Sequence, residues 1–126
     1  MKLRIKGASL RLRLTQGEVR ALAAEGRVEE QVPFGGGVNL IYRLSCDATA
    51  TKLNARFAAG VLEVRVPAAL AQEWCASQEV ALAGTQEDSP HSLRIAVEKD
   101  FACLAPRTDE DESDNFPHPQ TGAKVC

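Results

Sequence analysis

Apolar and polar residues alternate along most of this chain, and a period of two is typical of half-buried β-strands. In the clearest stretch, Leu10, Leu12 and Leu14 are separated by Arg11 and Arg13. Alternating segments occur at residues 2–6, 9–14, 28–34, 38–44, 53–57, 62–66, 80–82 and 93–97. We therefore predict a strand at each of these segments, with a loop at 85–92 between the last two.

Two short helices are predicted between the strands. Thr15 begins a Thr-Gln-Gly-Glu capping box in which Glu18 is the third helical residue. Gly26 follows where a left-handed residue commonly ends a helix. Pro67 is suited to the first turn of the second helix, whose apolar side includes Trp74.

Both halves of the chain then have the same order of elements, strand–strand–helix–strand–strand. Residues 10–14 align with residues 62–66 at an offset of 52, although few identities accompany the pattern. We predict an α+β fold of mostly antiparallel sheet, with two short helices on one side and a ββαββ unit that occurs twice.

Composition divides the chain at residue 99. Residues 1–99 carry 13 basic and 11 acidic residues, and we predict that they form the α+β domain. Residues 100–126 carry 2 basic and 6 acidic residues, and we predict an extended acidic tail. Phe101, Phe116 and Pro117 are the candidate residues that anchor this tail to the domain.

The alternation also places cationic residues on the outward faces of the strands. The candidate binding residues are Arg4, Lys6, Arg11, Arg13, Arg43, Arg65 and Arg94. One interpretation is that they keep an exposed sheet soluble and protect its edges. Another is that they form an anion-binding face, for an acidic protein, a nucleic acid or the chain's own tail. Because Tyr42 and Phe57 fall on the inward faces, stacking aromatics are missing and nucleic acid is disfavoured.

Few residues in the chain match a catalytic or cofactor motif. The sequence contains no G-x-G-x-x-G, no G-x-x-x-x-G-K-[ST] and no G-x-S-x-G motif. Cys103, His118 and Cys126 are chemically suitable metal ligands, but their spacings of 15 and 8 residues match no closed zinc module. We therefore predict no catalytic residues, no metal and no cofactor, and we interpret Cys46 and Cys75 as small packing residues.

The length of 126 residues predicts one domain. No stretch approaches the roughly 20 apolar residues that cross a bilayer, so no membrane partner is expected. The four cysteines include no C-x-x-C pair. We expect a cytoplasmic protein whose thiols stay reduced.

Two segments of the chain carry a family resemblance. The first runs from Lys2-Leu3-Arg4 through Leu10-Arg11-Leu12-Arg13-Leu14-Thr15 to Glu18-Val19, and the second includes Glu98-Lys99-Asp100-Phe101 and Glu110-Asp111-Glu112-Ser113-Asp114-Asn115-Phe116-Pro117. Together they are similar to a family of small uncharacterised bacterial proteins with no assigned activity. The resemblance implies a bacterial cytosolic source and nothing catalytic.

The sequence therefore favours a non-enzymatic interaction module of unknown specific function. Its basic sheet face and acidic tail would bind an unknown protein partner or each other. The alternative is a small metal-dependent protein or enzyme with a site near Cys103 and His118. A weak nucleic-acid binder is the third hypothesis.

Overall fold

The structure is a computed structural model and describes residues 1–101, Asp114 and Phe116. Within this part of the chain the elements are, in order, β1 (Lys2–Ile5), β2 (Ser9–Leu14), α1 (Gln16–Glu25), β3 (Arg27–Pro33), β4 (Asn39–Asp47), β5 (Asn54–Ala58), β6 (Val61–Pro67), α2 (Ala68–Ala76), β7 (Ala81–Asp88) and β8 (His91–Lys99). The α+β class is confirmed, and the order strand–strand–helix–strand–strand occurs twice.

The eight strands form two sheets of four. The first sheet has the order β1-β2-β8-β7 and the second has the order β3-β4-β6-β5. Each sheet therefore contains one hairpin from each half of the chain. The hairpins are antiparallel, whereas β2 pairs with β8 and β4 with β6 in parallel at the centre of each sheet.

Helix α1 begins and ends at the predicted residues. The Thr15 side chain accepts a hydrogen bond from the Glu18 amide, and the Glu18 carboxylate accepts one from the Thr15 amide at 2.9 Å. Gly26 ends the helix with a φ of 76°, and its amide donates to Leu22. Because a β-carbon is unfavourable at such a φ, glycine is suited to this position.

One hydrophobic core joins both sheets and both helices. It includes Leu12 and Val97 of the first sheet and Leu44 and Val64 of the second, each exposed by 1% or less. The helices pack against each other and supply Leu22, Ala71 and Trp74. At one edge β5 contacts β7, where the Ala55 amide donates to Gln86 Oε1 at 2.6 Å.

One local prediction from the sequence is wrong. The predicted loop at 85–92 is instead a hairpin in which β7 and β8 pair as far as Asp88 and His91, with Ser89 and Pro90 at the turn. Strand pairing there outweighs the polar composition on which the loop prediction was based. Phe57 lies on the predicted inward face with buried Ala55, yet it is 66% exposed because it lies near the tip of an edge hairpin.

Among the described residues, neither helix has the length and apolar composition required to cross a lipid bilayer.

Candidate functional site: the charged outer face of the first sheet

Five of the seven predicted cationic residues lie on one face of the first sheet. In β2 the leucines are buried, so Arg11 and Arg13 point to the opposite face. Lys6 pairs with Ser9 just beyond the end of β1. Lys2, which the alternation also points outward, lies beside Arg13 in the sheet register. We call this surface the outer cationic face: Lys2, Arg4, Lys6, Arg11, Arg13 and Arg94.

Like charges stand opposite each other on this face. Lys2 is the cross-strand neighbour of Arg13, and Arg4 is the neighbour of Arg11. Directly opposed like charges destabilise a sheet. The same face carries three acidic residues, Glu87, Glu98 and Asp100, which leave a net charge of +3.

Glu98 holds two of the arginines in place. Its carboxylate lies 3.0 Å from Arg13 Nε and 3.3 Å from Arg11 Nε. Only 8% of Glu98 is exposed, and the side chains of Arg11 and Arg13 are 24% and 16% exposed. Because charge-assisted hydrogen bonds are directional and stronger when water is partly excluded, the two guanidinium groups are oriented in advance.

The end of β8 is attached to the same face. The Asp100 carboxylate lies 2.9 Å from Lys2 Nζ, and the Asp100 amide donates to the carbonyl oxygen of Leu14. Arg4, Arg11, Arg13 and Asp100 each take part in further polar interactions. The chain after Asp100 therefore begins at the edge of the outer cationic face.

Arg43 and Arg65, the other two candidates, lie on the outer face of the second sheet. Arg43 Nε lies 2.6 Å from Glu29, and Arg65 Nε lies 3.0 Å from Glu63. Burial raises the pKa of Glu63, but hydrogen bonds from Arg65, Ser45 and Arg43 outweigh this and lower it overall. The sequence pattern cannot separate the two sets, because strand alternation assigns a face but not a sheet.

A second polar cluster joins β1 to the second sheet. The Met1 amino group binds the carboxylates of Glu18 and Glu30, the latter at 2.9 Å. The Tyr42 hydroxyl donates to Glu30 and lies 2.9 Å from the carbonyl oxygen of Met1. Burial, and next the carboxylate of Glu30, raise the pKa of Tyr42 to about 12. Sequence analysis missed this cluster, since its members lie far apart in the chain.

The candidates in the tail are only partly covered by the structure. Phe101 is 54% exposed and Phe116 is 97% exposed. Pro117, Cys103, His118 and Cys126 lie outside the described residues. Within the described part of the chain, no three potential metal ligands of the His, Cys, Asp or Glu type lie together.

These observations define a two-sheet α+β protein with a charged outer face on its first sheet. A family of unknown function, DUF7009, matches residues 1–120 of the chain. The chain belongs to this family. Searches of curated proteins and of solved structures found no match.

Proposed function

We propose that this protein is a non-enzymatic interaction module that binds an acidic protein segment through the outer cationic face. The observation that carries the proposal is the presence of two pairs of like-charged neighbours on one sheet face, Lys2 with Arg13 and Arg4 with Arg11. Glu98 and Asp100 offset part of this repulsion, and an acidic ligand would offset more of it. Such an arrangement favours anionic partners through electrostatic complementarity.

Glu98 supports the proposal in a second way. Because it orients Arg11 and Arg13 before a ligand arrives, a carboxylate ligand meets guanidinium groups that have already lost conformational freedom. Arginine also suits carboxylates because its planar group donates two parallel hydrogen bonds.

An acidic peptide fits this face better than a nucleic acid does. The strand positions that point outward from the first sheet are charged, small or hydroxyl-bearing residues, and none of them is aromatic. Binding of single-stranded nucleic acid usually includes base stacking on aromatic side chains. The chain itself contains a suitable peptide, with five carboxylates among residues 109–114.

The proposal also includes where the protein is located and how its repeated fold arose. We place the protein in the bacterial cytoplasm, where the thiols of Cys46 and Cys75 would stay reduced. The repeated ββαββ order supports an origin by duplication.

The proposal is tested with a labelled peptide of residues 105–120 and the protein lacking residues 105–126. We expect binding that weakens at least about 10-fold between 50 and 500 mM salt, because exposed charges are screened. Arg4→Glu combined with Arg94→Glu should weaken it about 10-fold or more. Fluorescence anisotropy measures both effects.

Two controls accompany this measurement. Arg20→Glu changes an exposed arginine of α1, away from the sheet face, and should alter the affinity by less than about twofold. A peptide with Asn and Gln in place of its Asp and Glu should not bind. Equal binding of both peptides, or equal effects of the Arg20 and Arg4/Arg94 variants, would contradict the proposal.

A comparison of the full chain with the protein lacking residues 105–126 shows whether the natural ligand of this face is the chain's own tail or a separate partner. If the tail docks on its own domain, the full chain should be more thermally stable than the truncated one at 50 mM salt but not at 500 mM. Equal stability at both salt concentrations would leave a separate protein as the partner.

A further inference from the structure

Two cysteines line one small cavity between the helices. The cavity has a volume of about 70 Å³, and its lining includes Cys46 of β4 and Cys75 of α2. Leu22, Gly26 and Ala71 make much of the remaining wall apolar. Both cysteines are free thiols of intermediate exposure. They are 29 residues apart in the chain, so the fold alone brings them together.

The surrounding elements hold both cysteines in place. The Cys46 amide donates to the carbonyl oxygen of Gly26 at 2.9 Å, which attaches this end of β4 to the end of α1. Cys75 lies one turn after Ala71, which is 1% exposed and part of the core. The cavity wall also includes Ala23 and Gln72, which are exposed, so an ion can enter from solvent.

The surroundings of both thiols favour their protonated form over the thiolate. Burial, followed by the neighbouring Cys75 sulfur, raises the pKa of Cys46. Burial also raises the pKa of Cys75, although the positive charge of Lys99 acts in the opposite direction. The thiolate is the nucleophilic form of cysteine, so a raised pKa lowers the reactivity of a thiol. A metal ion can still bind by displacing the protons.

The geometry points to a two-thiol site for a soft monovalent metal ion of the Cu(I) or Ag(I) class, held between Cys46 and Cys75. Zinc prefers four ligands, whereas the described residues bring no third His, Cys, Asp or Glu to this cluster. Soft thiolate ligands favour soft ions such as Cu(I). The lack of a third ligand among the described residues favours an ion that binds only two ligands.

A bridging ion and a direct disulfide require different separations of the two sulfurs. A disulfide requires the sulfurs to approach within about 2 Å of each other. When an ion lies between two sulfurs at about 2.3 Å from each, the length of a zinc–sulfur bond, the sulfurs are instead roughly 4 to 5 Å apart. Because both cysteines line a cavity of about 70 Å³, an ion held between their sulfurs would have space there.

Metal binding exchanges two protons for one metal ion, and no atom changes its oxidation state. Two S–H bonds break, two metal–sulfur bonds form, and both protons pass to solvent. The product carries one net negative charge. Lys99 can partly offset this charge, because its ammonium group lies at the end of α2, where it donates to the carbonyl oxygens of Trp74 and Ser77 at 3.0 and 2.7 Å.

The test uses Ag(I), which is stable to oxidation, and the full chain with Cys103→Ser and Cys126→Ser. We expect this protein to bind one Ag(I) per chain and to release about two protons per ion at pH 7. Isothermal titration calorimetry in buffers of different ionisation enthalpy measures both numbers. Adding Cys46→Ala or Cys75→Ala should weaken binding at least about 100-fold and reduce proton release to about one.

The reciprocal variant, Cys46→Ala with Cys75→Ala and the tail cysteines intact, is the matched control and should lack this tight site. Circular dichroism checks that each variant is folded. If an alanine variant is not folded, serine at the same position replaces alanine. Two independent Ag(I) ions per chain, or unchanged affinity after loss of one thiol, would overturn the site. The stoichiometry and the proton count of the two-thiol protein decide this even without the single variants.

Discussion

At the scale of single residues, Tyr42 connects groups that are distant in the chain. Its hydroxyl lies against Glu30 of β3 and the carbonyl oxygen of Met1, while its ring packs against the core. Deprotonation would place a phenolate beside the Glu30 carboxylate. Burial and this neighbouring charge therefore resist loss of the proton.

The Tyr42 environment gives a direct spectroscopic prediction. The chain has one tyrosine, so the ultraviolet absorbance of the phenolate reports this residue alone. We expect half-titration at a pH of about 12 in the folded protein. In Glu30→Gln the midpoint should move toward the ordinary value of roughly 10. Circular dichroism at each pH monitors folding, and an unshifted midpoint in the folded variant would contradict the role of Glu30.

At the scale of the element, α1 shows how local sequence and distant contacts act on the same side chain. Glu18 completes the capping box with Thr15, an interaction within four residues that the sequence reveals. It also binds the Met1 amino group, a contact that only the fold supplies. Burial raises the pKa of Glu18, but the hydrogen bonds from Met1 and Thr15 outweigh it and lower the pKa.

This lowered pKa makes part of the stability depend on pH. A carboxyl group with a depressed pKa in the folded state stabilises the protein above its unfolded pKa, and the contribution is lost as pH falls through the folded pKa. Glu18→Gln keeps the capping geometry but removes the charge. We expect it to lower the free energy of unfolding by about 1 kcal/mol at pH 7 and by much less at pH 3.

Urea denaturation at the two pH values measures this difference. Glu25→Gln, at an exposed position in the last turn of the same helix, should have little effect at either pH. A Glu18→Gln effect of equal size at pH 3 and pH 7 would show that the charge contributes nothing.

At the scale of the whole molecule, the two halves of the chain are interdependent. The β1–β2 and β7–β8 hairpins form one sheet, and the β3–β4 and β5–β6 hairpins form the other. Each half alone therefore leaves both of its central strands without their parallel partners. Its two hairpins also belong to different sheets, so neither half can build a complete sheet by itself.

Fragments test this interdependence. Residues 1–50 and 51–126, prepared separately, should each lack cooperative thermal unfolding and dispersed amide signals in NMR spectra. Mixed at equal concentration, they should form the native sheets, because each fragment supplies the parallel partner of the other. Cooperative unfolding of the 1–50 fragment alone would refute the expectation, and the intact chain is the reference for both measurements.

More of the fold than of the candidate site could be predicted from the sequence. The strands with strict alternation and the capped helix α1 were predictable because their signals lie within a few residues. Arg11 and Arg13 could be assigned to an outward face, but their shared contact with Glu98 could not, since those residues are more than 80 positions apart. The hairpin at Ser89 and Pro90 was missed because its strands are polar at their ends.

By itself, the sequence determined the α+β class, the order of elements, the face on which each alternating residue lies and the ends of α1, because these depend on local backbone geometry. The tertiary structure decided that there are two sheets rather than one, and that β2 lies beside β8 and β4 beside β6. It also decided which charges meet on the outer cationic face and which thiols share a cavity. Strand partners are chosen by burial of complete faces in a common core, a collective effect that no short stretch of residues encodes.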